Sequence, residues 1–231
     1  MRPPRIIGFH SVKGGVGKST LSVLCAFWAG REDGNAKQVV LVDTDPWGDC
    51  LKFQQKRKKL ELSCPFTVVP GEDFDLKNKV VRNLDSDLII VDIPPRGVKA
   101  VGGILRTCDL IAIPNRVGGT EFDRLEEMFS DYDAAGLGKI PKILILNEIE
   151  SRPSNLIQRW FGGGDQTLHQ NLLAFAKSKN LPVVEISASL DYKRLMLEAV
   201  SPWEWHKKSK IKKYQSPKLF REIQILFDAL G

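Results

Sequence analysis

Short, largely apolar runs alternate along the chain with longer segments whose apolar positions recur every three or four residues. The runs Ile6–His10, Val39–Asp43, Phe66–Val69, Leu88–Ile93, Leu110–Pro114, Ile143–Asn147 and Val183–Ser187 set Val, Ile and Leu side by side. Consecutive apolar positions predict strands covered on both faces, as in a parallel sheet. Between them the spacing predicts helices over Lys18–Gly30, Asp49–Lys59, Asp73–Leu84, Glu121–Ala135, Thr167–Lys179, Leu190–Ala199 and Pro217–Leu230. Ser151–Gln166, with Gly162-Gly163-Gly164, reads as a loop holding at most a short helix. This alternation predicts a three-layer α/β fold, a mostly parallel twisted sheet with helices on both faces. No repeat or linker interrupts it, so residues 1–231 are expected to form a single domain.

Composition narrows the classes. At 231 residues, 42% hydrophobic and 27% charged, the chain is neither collagen-like nor disordered in bulk. No apolar run reaches the ~18 residues of a membrane-spanning helix. Met1-Arg2-Pro3-Pro4-Arg5 leads into the first strand without a cleavable apolar region, which points to a cytoplasmic protein. Cys25, Cys50, Cys64 and Cys108 show no paired spacing, arguing against a zinc site, a redox motif or a disulfide framework. His10, His169 and His206 are too scattered to suggest a metal centre.

Charge adds one feature. Lysine and arginine number 34 against 28 acids, a net +6. The segment Glu204–Arg221 holds Lys207, Lys208, Lys210, Lys212, Lys213, Lys218 and Arg221 against Glu204 alone, which equals the whole excess. Lys52–Lys59 carries five more bases. Such patches imply affinity for polyanions, nucleic acid or acidic lipid.

The first strand runs into Ser11-Val12-Lys13-Gly14-Gly15-Val16-Gly17-Lys18-Ser19-Thr20, and a predicted helix follows. Glycines there permit torsions closed to other residues, so successive N–H groups can turn inward around a phosphate. The helix that starts next adds its positive end. Lys18 is placed for the β- and γ-phosphates, Ser19 for Mg²⁺, and Thr20 for the α-phosphate. Gly14, Gly15, Val16 and Gly17 supply the cradle.

With its second lysine, Lys13, this loop resembles the deviant Walker A loop of the ParA/MinD family of P-loop ATPases. Val39-Val40-Leu41-Val42-Asp43-Thr44-Asp45-Pro46-Trp47-Gly48 is similar to that family's D-x-D-P-Q-G segment, with Trp47 in place of glutamine and Asp49 in place of asparagine. Leu88-Ile89-Ile90-Val91-Asp92-Ile93-Pro94-Pro95 resembles its Walker B strand. The order and spacing of the three match. The likeness covers nearly the full chain and is most specific in the first hundred residues.

The resemblance implies roles. Lys13 would cross a dimer interface to the partner's nucleotide. Asp45 would polarise the attacking water, or else serve as a turn acid. Asp43 and Asp92 would lie near the metal, Asp92 holding a metal-bound water unless it only caps its strand. Asn147 would read the adenine edge or end its strand in a turn. The same resemblance implies ATP and Mg²⁺ as cofactors and a homodimer formed on ATP binding. It further implies nonspecific double-stranded DNA as a partner, a ParB-like protein on the cargo that stimulates slow hydrolysis, and nucleoid association.

Lys193 and Arg194, with Lys207, Lys208, Lys210, Lys212 and Lys213, are the candidate DNA contacts. Trp203 and Trp205 could stack on bases or anchor in the core. A MinD-like protein seated on anionic lipid through the helix Pro217–Leu230 is the alternative, although membrane is the less favoured partner. Leu219, Ile223, Leu226 and Leu230 on that helix face either core or lipid. Iron–sulfur members of the class lack support, because no suitable cysteine motif is present.

Overall fold

The computed structural model describes residues 3–31, 38–73, 86–116, 121–149, 163–187, 195–201, 204 and 217–231. Seven strands form one sheet: β1 (Arg5–Phe9), β2 (Val39–Asp43), β3 (Thr67–Pro70), β4 (Leu88–Asp92), β5 (Leu110–Arg116), β6 (Lys142–Ile149) and β7 (Val183–Ser187). The order is β3-β2-β4-β1-β5-β6-β7, and every pairing is parallel. Among the described residues these helices accompany them: α1 (Lys18–Gly30), α2 (Asp49–Lys59), α3 (Val98–Leu105), α4 (Glu121–Ala134), α5 (Gly163–Ser178) and α6 (Pro217–Leu230).

Apolar residues are consecutive along the strands because the two faces of the sheet serve two cores. Leu88 and Ile90 of β4 join Ile7, Phe9 and the inner sides of α1, α2 and α6. Ile89 and Val91 turn the other way, to meet α3, α4 and α5. The three-layer expectation therefore holds. On α6, Ile223, Leu226, Phe227 and Leu230 are all buried in the first core, so these positions face protein; the Leu219 side chain lies outside what the structure describes. Trp28 of α1 is buried as well.

The sequence pattern missed α3. Gly102 and Gly103 lower its helix propensity by roughly 1 kcal/mol each, yet Val98, Val101 and Leu105 pack into the second core and hold it. The helix α5 begins at Gly163, inside the stretch read as a loop, and β6 runs on to Ile149. The expected helix after Asp73 lies outside the described residues, as does 190–194, while 195–198 are helical as expected. No described helix is long and apolar enough to cross a membrane.

Candidate nucleotide site

The strand β1 lies between β4 and β5, so the chain order reverses at its end. In doubly wound sheets the crevice at this point is where ligands bind. The loop after β1 turns at Gly15 (φ 74°) and Gly17 (φ 97°), left-handed conformations that favour glycine. Gly17 is also the residue from which α1 starts. A Cβ there would collide with the Asn147 side-chain amide, so both torsion and space require glycine.

A cleft of about 630 Å³ opens at this loop. Gly14, Gly15, Gly17, Lys18, Ser19, Thr20, Asp45 and Asn147 all line it, so the fold brings together most of the residues expected to bind nucleotide. Val16 is buried beneath, and its carbonyl accepts a hydrogen bond from Asn147 Nδ2 at 2.8 Å. Asn147 thus braces the loop from β6. Lys13 faces a separate small recess with Ser11, Asn115 and Arg124. Its carbonyl accepts Lys18 Nζ at 3.2 Å.

Burial lowers the pKa of Lys18, while the negative charges of Asp92 and Asp45 pull it back. A buried ammonium facing a concave glycine loop is suited to an anionic ligand.

The acids divide their work. Asp43, at the end of β2, accepts the backbone N–H groups of Asp45 (3.2 Å), Cys50 (3.0 Å) and Leu51 (3.0 Å). Cys50 and Leu51 lie in the first turn of α2, whose N-cap Gly48 has no side chain to offer. Asp43 therefore caps α2 from a distance and places negative charge at its positive end. Asp45 stands free of that duty, half-buried on the cleft wall, with Oδ1 accepting from Trp47 N at 3.1 Å.

Asp92 is completely buried at the end of β4, where burial pushes its pKa up to about 7 against a hydrogen bond from the Ser19 hydroxyl. Its Oδ1 has no hydrogen-bond partner among the described residues. An orphaned carboxylate oxygen beside a loop hydroxyl fits a magnesium ion with its water. Ser19 and Asp92 would hold it, and the ion when bound neutralises charge on the phosphates.

A family model for the CobQ/CobB/MinD/ParA nucleotide-binding domain matches residues 7–156, well over half of the chain. The chain belongs to that family. Its members include ATPases of the ParA and MinD type. A Borrelia burgdorferi B31 protein described as a plasmid partition protein, bound to AMPPNP, superposes with a TM-score of 0.70 at 20% identity over 99% of this chain and 100% of that one. Apo McdA of Cyanothece gives 0.71 at 16% identity, covering 98% and 99%. MinD of Aquifex aeolicus gives 0.65 at 14% identity, covering 97% of each chain. At these identities the likeness is one of fold. No curated protein sequence matches.

Beyond the motifs that mark the ParA/MinD family, the structure adds residues that sequence spacing did not reveal. Lys52, Phe53 and Lys56 of α2 line the cleft with Arg116, Met196 and Leu197. Trp47 and Leu197, 75% and 70% exposed, stand at its mouth. The local signal for α2 was its run of bases, yet Arg57 within that run is buried and bound to Glu204. Glu204 is therefore neutralised by α2 and does not offset the lysines that follow it. Lys193, Arg194, Lys207, Lys208, Lys210, Lys212 and Lys213 lie outside the described residues, as do Trp203, Trp205 and His206.

His10, at the root of the loop, is wholly buried. Its Nε2 donates to the Arg96 carbonyl at 3.0 Å, which leaves Nδ1 to accept the Tyr132 hydroxyl at 2.6 Å. Burial lowers its pKa from 6.5 to about 4. A depressed histidine pKa stabilises the fold fully above the unfolded value of 6.5, and that contribution is lost as pH falls from 6.5 to about 4. The loss amounts to roughly 3 kcal/mol. Thermal unfolding from pH 7.5 to 4 should show wild type losing this stability relative to His10→Gln. Parallel curves for the two proteins would contradict the assignment.

Proposed function

We propose that this chain is a DNA-partition ATPase that dimerises on ATP, binds nonspecific duplex DNA as the dimer, and hydrolyses ATP slowly until a ParB-like cargo-bound protein stimulates it. The carrying observation is the glycine loop that folds around buried Lys18 at the head of α1, with Asp45 on the wall of the same cleft. In this reading Lys18 binds the β- and γ-phosphates, and Ser19 and Asp92 serve Mg²⁺. Asp45 orients the attacking water, while Asn147 braces the loop and borders the base. Lys13 faces away from its own cleft, which suits service to a partner's nucleotide. The basic residues 193, 194 and 207–213 supply the DNA surface, and the protein works on the nucleoid. The lipid-anchored alternative is disfavoured because the apolar side of α6 is already committed to the core.

Nonspecific duplex DNA should be retained by the ATP-loaded protein and not by the apo protein, with affinity falling steeply as salt rises. Lys13→Ala should still bind ATP but lose both the dimer by light scattering and the DNA. Replacing Lys207, Lys208, Lys210, Lys212 and Lys213 with alanine should flatten the salt slope. Loss confined to a Lys193 and Arg194 variant would move the contact there. DNA binding indifferent to ATP, or an intact ATP dimer of Lys13→Ala, would defeat the reading.

A further inference from the structure

Cys50 carries no role in the function proposed above, yet it sits among that site's acids. It occupies the first turn of α2, entirely buried. Its Sγ and one carboxylate oxygen from each of Asp43 and Asp92 all lie within 4.8 Å of one another. The thiol donates to Asp92 Oδ2 at 3.4 Å. A tetrahedral ion with metal–sulfur bonds near ~2.3 Å and metal–oxygen bonds near ~2.0 Å holds its sulfur and oxygen ligands ~3.5 Å apart. Cys50 Sγ and Asp92 Oδ2 stand close to that spacing. The other oxygen of Asp92, Oδ1, which is the one offered above to magnesium, is buried with no hydrogen-bond partner among the described residues. Two acids and a thiol packed this tightly are costly to bury, and Lys18 offsets only part of that cost, since burial still holds the Asp92 pKa up at about 7.

We propose that Asp43, Cys50 and Asp92 form a site for a thiophilic divalent cation of the zinc class, one that shares Asp92 with the magnesium that accompanies ATP. The donor set decides the class. Magnesium is hard and takes oxygen ligands and water, whereas a thiolate selects zinc, cadmium or cobalt. The three backbone amides on Asp43 orient that ligand, in the way outer hydrogen bonds fix metal-bound carboxylates. A second cleft of about 400 Å³, lined by Asp43, Thr44, Asp45 and Glu72, reaches the cluster at Asp43. On binding, the Cys50 S–H bond breaks, the metal–sulfur bond forms, and the proton leaves to solvent; no electron is transferred. Metal binding does not rest on the nucleotide reading. Its consequence does: an ion on Asp92 takes that carboxylate from the magnesium water, so zinc inhibits turnover.

Titration of nucleotide-free protein with Co²⁺ tests the site. Wild type should develop a thiolate-to-cobalt absorption in the near ultraviolet at one equivalent, and Zn²⁺ should bleach it. Cys50→Ser should lose the band and bind Zn²⁺ at least about tenfold more weakly against a chromophoric zinc indicator. Cys64→Ser should keep both, since Cys64 lies apart from the acids. Cys50→Ala, checked for a native circular dichroism spectrum, guards against a folding artefact in the serine variant. No band in wild type, or a band that survives in both folded Cys50 variants, overturns the proposal. Because no nucleotide is present, failure of the ATPase reading leaves this result untouched.

Discussion

Replacing Lys18 with alanine should weaken ATP binding by at least ~100-fold, about 3 kcal/mol. Lys18 is buried at the head of α1, and its ammonium donates to the Lys13 carbonyl across the glycine loop. The substitution therefore removes both the charge meant for the phosphates and a tie that shapes their cradle. Charge-assisted hydrogen bonds in a sheltered site are roughly twice as strong as neutral ones. The deletion also leaves Asp92 and Asp45 without the cation that acts on them both, so the acids would repel an anionic ligand. Titration calorimetry with ATP measures the loss directly, and the circular dichroism spectrum of the variant controls for folding. Unchanged affinity would remove the phosphate-loop assignment, because no other described lysine lines the floor of the loop.

The second large effect should come from Arg57→Ala, with a loss of ~3 kcal/mol in stability. Only 1% of Arg57 is exposed. Its Nη1 and Nη2 bind Glu204 Oε2 and Oε1 at 2.7 and 2.9 Å, a two-point pairing that lysine cannot copy. Nε donates to the Ser63 carbonyl at 3.0 Å, and Nη1 also donates to the Ala199 carbonyl at 3.0 Å. The guanidinium further lies over Phe27, with its carbon 4.9 Å from the ring centre.

Glu204 is held from its own side by Ser201, whose backbone N–H it accepts at 2.7 Å and whose hydroxyl accepts the Glu204 N–H at 3.2 Å. This reciprocal pair is a capping box. Alanine at 57 would leave the carboxylate and two carbonyls short of donors. Glu204 keeps a quarter of its side chain in solvent, which places the cost at the low end for a broken buried pair.

Burial alone would raise the Glu204 pKa, but the hydrogen bonds and charge of Arg57 and those of Ser201 outweigh it and hold the value at about 2. The contribution is therefore complete above the ordinary value of 4.5 and fades as pH falls from there toward 2. Urea denaturation should show wild type and Arg57→Ala well separated at pH 7 and converging below pH 4. A difference under ~1 kcal/mol at pH 7 would mean the latch is ornamental.

Much of the fold and of the site is written locally in the chain. Strand runs such as Val39–Asp43 and Leu88–Asp92 are legible because burial on both faces demands apolar residues at every position. The phosphate loop is legible because one contiguous stretch supplies its glycines, its lysine and the start of its helix. Asp45 and Asp92 follow, since each stands at or just beyond the end of such a strand. A parallel sheet puts those ends on one edge, as the pairing of Asp43 with Asp92 confirms.

What only the tertiary structure decided are the relations between distant residues and the duties that those relations assign. Asp43, read as a metal neighbour, also accepts the amides of α2, and nothing in its strand announces which helix will arrive there. Asn147 meets the Val16 carbonyl across 131 positions, and Arg57 meets Glu204 across 147. Cys50 looked isolated because cysteine spacing along a chain carries no information about acids brought in by another strand. It lies 42 positions from Asp92, at contact distance. In the same way α3 forms against its glycines, because the apolar surface it buries outweighs a local preference that sequence reading must otherwise follow. Propensity and motif act over a few residues, whereas burial and charge pairing act between whatever the sheet brings together.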